Sequence, residues 1–245
     1  TNGANIVPSV ESISEERETL IRGVRELANQ DVSAGYGLLV GGATAALIDS
    51  KTAIFDRIWI AGGMIVAATY ALLFFMFGSV LVPFKAIILN ILSLGATFGM
   101  MVWVFQSGHG SGWLGFTATG TTDTTTPILM FCIAFGLSMD YEVFLLARMK
   151  EEYDRTGNNK RAIVVGLTKT GRSVTAAALL LAVTFLAFAT SSVSTIKFFG
   201  IGLAVAVLVD AFIVRVALVP ALMTVAGRRN WWAPESLRRF HARFG

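Results

Sequence analysis

The stretch FGLSMDYEVFLLAR, residues 135–148, places charged side chains inside an apolar segment and decides how the chain is interpreted. It lies in a run from Ile128 to Ala147, about the length that a helix needs to cross a hydrocarbon core of roughly 30 Å. At about 1.5 Å per residue, Asp140 lies roughly 18 Å from the start of this helix, well inside a bilayer. A carboxylate there is costly, so it indicates either a functional site or a satisfied ion pair.

The composition of the whole chain is also typical of a membrane protein. Hydrophobic residues make up 54% of its 245 positions, and its mean hydropathy is +0.66. With apolar runs this long, these values exclude an ordinary soluble domain. A large soluble core of five buried helices is disfavoured, because such uniform runs rarely occur there. Five segments are predicted to span a bilayer: Ile58–Phe77, Ala86–Phe105, Ile128–Ala147, Ser173–Thr190 and Phe198–Ala226.

Residues 1–56 are soluble in character and are predicted to contain a helix, a buried strand at Tyr36–Val40 and a short helical piece ending near Ser50. One strand cannot close a core, so we interpret this segment as the C-terminal fragment of an α/β domain. Residues 57–226 form the five-helix transmembrane domain, and residues 227–245 form a basic amphipathic tail. The chain opens without a signal peptide, which suggests an internal portion of a longer membrane protein.

The distribution of lysine and arginine predicts the orientation in the membrane. Residues 148–172 carry seven of these cations and residues 228–243 carry five, whereas the loop 106–126 carries none. We therefore expect a multi-pass protein of the inner (plasma) membrane, with an extracytoplasmic N-terminal segment and a cytoplasmic C-terminus. The net charge of +4 is then a topology signal, so no nucleic-acid partner is expected. We also expect no cofactor and no metal.

A second acid, Asp210, lies about as far along the fifth predicted helix as Asp140 does along the third. Both helices run inward, so the two buried acids are predicted to reach nearly the same depth. Tyr141 can donate its hydroxyl to a carboxylate on a facing helix. Arg215 lies roughly 140° around an α-helix from Asp210, which places it better for a neighbouring helix than for that acid. Two mid-depth acids suit a proton relay driven by the membrane gradient.

Glu142 is predicted to have a structural role. It points roughly opposite Asp140 and approaches the cytoplasmic end of its helix. We expect it to meet either Arg172 or Arg215.

Five motifs of the chain agree in order and spacing with one family. They are VGGATAALIDS (40–50), GLSMDYEVFL (136–145), TGRSVTAAALLLA (170–182), LVDAFIVRVALVPALM (208–223) and WWAP (231–234). With these motifs the chain resembles the RND superfamily and, within it, the MmpL group of actinobacterial lipid and glycolipid exporters.

The resemblance implies the C-terminal half of a twelve-helix, proton-driven transporter. This half would comprise the end of the second periplasmic porter domain followed by helices eight to twelve. The implied proton relay consists of Asp140, Tyr141, Asp210 and Arg215. The family completes this relay with an Asp-Tyr pair on helix four, which lies in the N-terminal half, so helices one to seven and the first porter domain are expected partners.

The other implied partners are protons, membrane lipids and a lipid or glycolipid substrate. A lateral groove for that substrate is expected to be lined by phenylalanines of the first spans: Phe74, Phe75, Phe77 and Phe84.

Two alternatives carry different functions. Intramembrane aspartyl proteases combine two acids with a Pro-Ala-Leu triplet, here residues 220–222. Here, however, the first acid follows GLSM rather than a GxG, and the tyrosine follows its aspartate, so we do not expect an enzyme. Five spans also resemble a sterol-sensing domain, a lipid-binding or scaffold module without transport. Asp140 and Asp210 favour transport, because a passive lipid pocket needs no acids at mid-depth.

Overall fold

The computed structural model describes residues 15–30, 40–107, 109, 125–235, 237 and 239. These residues fold into helices joined by short turns, and none of them forms a strand. The α-helices are α1 (Glu15–Gln30), α2 (Ala43–Phe77), α3 (Leu81–Met101), α4 (Thr125–Thr156), α5 (Asn159–Ala187), α6 (Ser194–Leu208) and α7 (Val219–Ala226). A π-helical turn, Val102–Gln106, extends α3, and a π-helical segment, Val209–Leu218, joins α6 to α7. Short 3-10 turns follow at Phe188–Thr190 and Gly227–Trp231.

The prediction of five spanning helices is confirmed. Five helices are long and apolar enough to cross a membrane: Thr44–Phe77, Leu81–Phe105, Thr125–Thr156, Asn159–Thr190 and Ser194–Trp231. The first is longer than predicted, because the expected short piece near Ser50 and the first span form one helix of 35 residues. No glycine or proline interrupts residues 43–61, so nothing in the sequence ends the helix there.

The prediction for residues 36–40 falls almost entirely outside the described residues, since residues 31–39 are not among them. Most of the predicted tail after residue 234 also lies outside them. In the described part of the tail, Glu235 accepts a hydrogen bond from Arg239 at 3.0 Å.

The chain divides into two compact units, residues 1–64 and 65–245. Within the first, Arg25 on α1 donates to Asp49 near the start of α2 at 2.8 Å. All of the candidate site described below lies in the second unit.

The described residues of the second unit form three apolar clusters, and polar side chains lie between the two larger ones. One cluster contains Leu89, Leu145, Met149, Val214 and Met223, and the other contains Leu94, Met101, Met130, Ala134 and Ala206. Along α3, α4 and the last span, buried polar residues fall between the two sets. They are Asn90, Ser138, Glu142, Asp210 and Arg215. We call these five residues the polar layer.

The helical hairpin between α4 and α5 is set by two residues. Gly157 takes a positive φ of 64°, which ends α4 in a conformation that costs glycine little. The Asn158 side chain then caps α5 by accepting from the backbone N–H of Arg161 at 3.1 Å. The turn is therefore short, and α4 and α5 are antiparallel neighbours.

Gly200 allows α6 to approach α5 closely. A Cβ atom at this position would lie 2.6 Å from the carbonyl oxygen of Phe185 and 2.6 Å from the Cβ of Phe188. Small residues at such crossings are what allow membrane helices to pack tightly.

We expect Gly200→Ala to lower the free energy of unfolding by about 1–3 kcal/mol, because the helices must separate to accept the methyl group. The measurement is detergent-induced unfolding followed by circular dichroism. Gly99→Ala is the matched control, since a Cβ there meets nothing within 4 Å. Equal stability of the two variants would contradict the close-packing interpretation.

A buried asparagine fixes the end of the last span. The Asn230 side chain is fully buried and donates to the carbonyl oxygens of Met223, at 2.6 Å, and Gly227, at 2.8 Å. Its amide oxygen accepts from Lys85, and its backbone carbonyl accepts from the Ser79 hydroxyl at 2.5 Å. Asn230 therefore ties the 3-10 turn after α7 to the turn between α2 and α3.

Asn230→Ala is expected to cost about 1–3 kcal/mol of stability, because buried carbonyl groups lose their donor. Asn158→Ala, at the exposed cap of α5, removes the same side chain and should cost only about 1 kcal/mol or less. Thermal unfolding in detergent compares the two. A larger loss in the Asn158 variant would mean that the Asn230 contacts contribute little.

Candidate functional site

Three residues of the polar layer form a closed network between α4 and the π-helical segment. Arg215 Nη2 lies 2.6 Å from Asp210 Oδ2, and Ser138 Oγ donates to Asp210 Oδ1 at 2.7 Å. Arg215 Nη2 also donates to the backbone carbonyl of Ser138 at 2.5 Å. Only 7% of Asp210 and 3% of Arg215 are exposed, so the ion pair is enclosed by the bundle.

The prediction that Arg215 would face away from Asp210 is wrong, and the helix type explains why. The prediction assumed α-helical geometry, in which residues five apart lie roughly 140° apart. Residues 209–218 are instead π-helical, and the hydrogen bonds of a π-helix join residues five apart. Asp210 and Arg215 have this spacing, so they come together on one face.

Tyr141 contributes the face of its ring. The guanidinium carbon of Arg215 lies 5.1 Å from the centroid of this ring. A cation over an aromatic face is attracted by the ring quadrupole, which suits an arginine enclosed by apolar surroundings. Among the described residues, the Nε and Nη1 atoms of Arg215 are buried without a hydrogen-bond partner.

Asp140 does not join this network. Its side chain is exposed on the described bundle, whereas Ser138, two residues earlier on α4, is buried against Asp210. Two residues turn an α-helix by roughly 200° and advance it by about 3 Å. Asp140 therefore lies at a similar level of the bundle to Ser138 and its partner Asp210, but it points to the opposite side of α4. The expectation that both acids are buried is corrected for Asp140.

Glu142 is buried, but its partner differs from the predicted arginines. Its carboxylate accepts from Asn90 Nδ2 of α3 at 3.1 Å. The same amide nitrogen lies 3.3 Å from the Met139 sulfur. Within the described part of the chain, the Asn90 Oδ1 atom is buried and has no partner. Glu142 thus extends the polar layer from α4 to α3.

The four phenylalanines proposed for a lateral groove do not share one environment. Phe77 belongs to the apolar core beside Leu73 and Val82, and Phe74 is also buried. Phe75 and Phe84 are exposed, at 39% and 58%.

The network at Asp210 links an ionisable group to the packing of α4 against the last span. One oxygen of the Asp210 carboxylate lies against the Arg215 guanidinium, and the other accepts from the Ser138 hydroxyl. Adding a proton weakens the pair and releases a buried arginine, which must find another arrangement. A protease dyad is disfavoured, because both Asp210 oxygens are already engaged and Asp140 faces elsewhere.

Ser138 and Asn90 were not predicted from the sequence. Ser138 is a small residue in an apolar run, where serine usually only bonds to its own helix. The one sequence feature that could have identified Ser138 is its position in the GLSMD string, two residues before Asp140.

The comparisons with known proteins agree with one another. The model of the MMPL family matches residues 6–244. Membrane protein SCO6666 of Streptomyces coelicolor is 48% identical over 216 residues, which is 88% of this chain and 31% of that protein. The trehalose monomycolate exporter MmpL3 of Mycobacterium tuberculosis is 42% identical over 213 residues, covering 86% of this chain and 22% of the exporter. The heme uptake protein MmpL11 of the same species is 35% identical over 240 residues, which is 96% of this chain and 24% of that protein.

The chain spans less than a third of the length of each of these relatives. The family match nevertheless extends over nearly all of the chain and includes all five spanning helices and the polar layer. The chain therefore belongs to the MMPL family, the group that its sequence motifs indicated.

Proposed function

We propose that this chain belongs to the C-terminal half of a proton-driven exporter of lipids or glycolipids across an actinobacterial plasma membrane. The observation that carries the proposal is the enclosed Asp210–Arg215 ion pair at the level of a second acid within a spanning bundle. Ionisable residues within membrane spans are costly and rare, so such a pair is by default a hypothesis for a functional site. The relationship to an MmpL3 trehalose monomycolate exporter supports the substrate class.

The proposed proton relay consists of Asp140, Tyr141, Asp210 and Arg215. Asp210 would take up a proton and release Arg215 from the ion pair. The Tyr141 ring, which already contacts the guanidinium, would then stabilise the released cation. The exposed face of Asp140 would meet the N-terminal half of the transporter, where the RND family carries a further Asp-Tyr pair. Protons would load from outside and leave on the cytoplasmic side.

The proposed topology places residues 1–56 outside the cytoplasm, as the end of an α/β porter domain. Residues 57–226 would cross the membrane, and residues 227–245 would lie on the inner leaflet as a basic amphipathic tail. The seven cations between residues 148 and 172 support this orientation.

The proposed substrate is amphiphilic and enters laterally from the outer leaflet. Phe75 and Phe84 are exposed to such a path, while Phe74 and Phe77 would support it from the core. A heme uptake protein is also among the relatives, and heme is likewise a large amphiphile with an apolar body.

The test is reconstitution of the full-length protein in proteoliposomes with a fluorescent glycolipid and an imposed pH gradient. We expect movement of the lipid between leaflets, measured as loss of quencher-accessible fluorescence, only while the gradient lasts. A protonophore should stop it. A lipid-sensing module, the alternative function, would bind the lipid equally with and without the gradient, and that result would overturn the transport proposal.

A further inference from the structure

The Pro-Ala-Leu triplet that begins at Pro220 has no part in the proposed relay. It is separated from the end of the π-helical segment by one residue, Val219. The backbone N–H of Val219 bonds to the carbonyl of Val214, five residues earlier. Pro220 comes next in the chain and has no N–H to continue an α-helical ladder.

Pro220 gives a physical reason for the wide helix that precedes it. In an α-helix, a proline ring clashes with the carbonyl oxygen four residues earlier, here that of Val216. Sharp departures from α-helical geometry occur at prolines and at π turns, and a wider turn before the proline would move that carbonyl away. The last turn of the π segment, which ends at Leu218, contains Val216 and lies directly before Val219 and Pro220.

The width of the helix decides where Arg215 lies. Its contact with Asp210, at 2.6 Å, depends on the five-residue repeat of the π segment. In an α-helical segment the same side chain would point roughly 140° away from Asp210. It would also lose its bond to the Ser138 carbonyl and its contact with the Tyr141 ring.

We propose that Pro220 is a positioning residue, which keeps residues 209–218 in the π form and thereby holds Arg215 against Asp210. The consequence for transport rests on the proposed function. The claim about helix form rests on geometry alone, so the two can be tested separately.

The helix form is tested with Pro220→Ala in the full-length protein, with Cys132 replaced. Spin labels are placed at two exposed positions, Val164 on α5 and Val225 on α7, where 63% and 86% of the residue is exposed. Tightening the segment rotates α7, so we expect the label-to-label distance to change by about 5 Å or more, given a helix diameter of roughly 10–12 Å.

A second label pair, Leu179 and Ile196, lies before the π segment and should keep its distance. Pro127→Ala is the matched control, because Pro127 stands in α4, away from the π-helical segment 209–218. An unchanged distance between labels 164 and 225 in Pro220→Ala would overturn the proposal.

The consequence for transport is tested by a conditional rescue. Pro220→Ala should lower gradient-driven transport about 10-fold or more, because a buried acid loses its cation. Adding the exchange Val214→Arg and Arg215→Val places the arginine four residues after Asp210, on the same face of an α-helix. We expect this exchange to restore transport only together with Pro220→Ala and to abolish it alone.

A proline that merely stabilised the fold would give no such reversal. If the distance between labels 164 and 225 changes in Pro220→Ala but the exchange of residues 214 and 215 does not restore transport, the positioning role of Pro220 is overturned. Absence of gradient-driven transport in the unmodified protein would remove the proposed function, while the label distances would still decide the helix form.

Discussion

Asp140→Asn is expected to abolish gradient-driven lipid transport while leaving membrane insertion and folding intact. Asparagine has nearly the shape of aspartate but cannot take up and release a proton. Asp140 is exposed on the bundle and forms no hydrogen bond or ion pair with any other described residue. Losing its charge should therefore change stability by less than about 0.5 kcal/mol.

The measurement is the proteoliposome assay with the pH gradient, alongside thermal unfolding of the same preparation. Asp56→Asn is the matched control, since Asp56 is an exposed acid on another spanning helix, α2. Transport by the Asp56 variant should be unchanged. If the Asp140 variant transported lipid at the rate of the unsubstituted protein, Asp140 would not be part of the proposed relay.

Arg215→Met is expected to give the largest loss of stability of any substitution discussed, about 3–5 kcal/mol in the free energy of unfolding. Methionine fills much of the arginine volume but leaves Asp210 enclosed without a cation. The Ser138 hydroxyl is then its one remaining hydrogen-bond partner among the described residues.

The double variant Asp210→Asn with Arg215→Met should recover most of this loss, because it buries no charge. Arg148→Met is the surface control: Arg148 pairs with Glu151, and their side chains are 46% and 61% exposed, so this pair should contribute less than about 1 kcal/mol. Detergent-induced unfolding compares the unmodified protein, the Arg215→Met and Asp210→Asn single variants, the double variant and the surface control. Simple addition of the two single effects in the double variant would show that the ion pair is not what stabilises the site.

The sequence was informative where the controlling feature is local. Apolar length predicts a spanning helix because a bilayer has a fixed thickness, and all five spans were found this way. The near-equal depth of Asp140 and Asp210 followed from counting residues, because the rise per residue of a helix is fixed.

The sequence was less informative where one residue changes the geometry of others. A single proline at position 220 follows ten π-helical residues, and counting in α-helical steps placed Arg215 on the wrong face. The partners of Glu142 also depend on which helices touch, and α3 supplies Asn90 rather than an arginine.

The sequence by itself determined that this chain has five helices long and apolar enough to cross a membrane, and to which family it belongs. These properties depend on composition and on spacing along one helix. Only the tertiary structure decided that Asp210 is enclosed with Arg215 and Ser138 while Asp140 faces outward. That division depends on the rotation of each helix about its axis, which is set by packing against neighbours and by the local width of the helix.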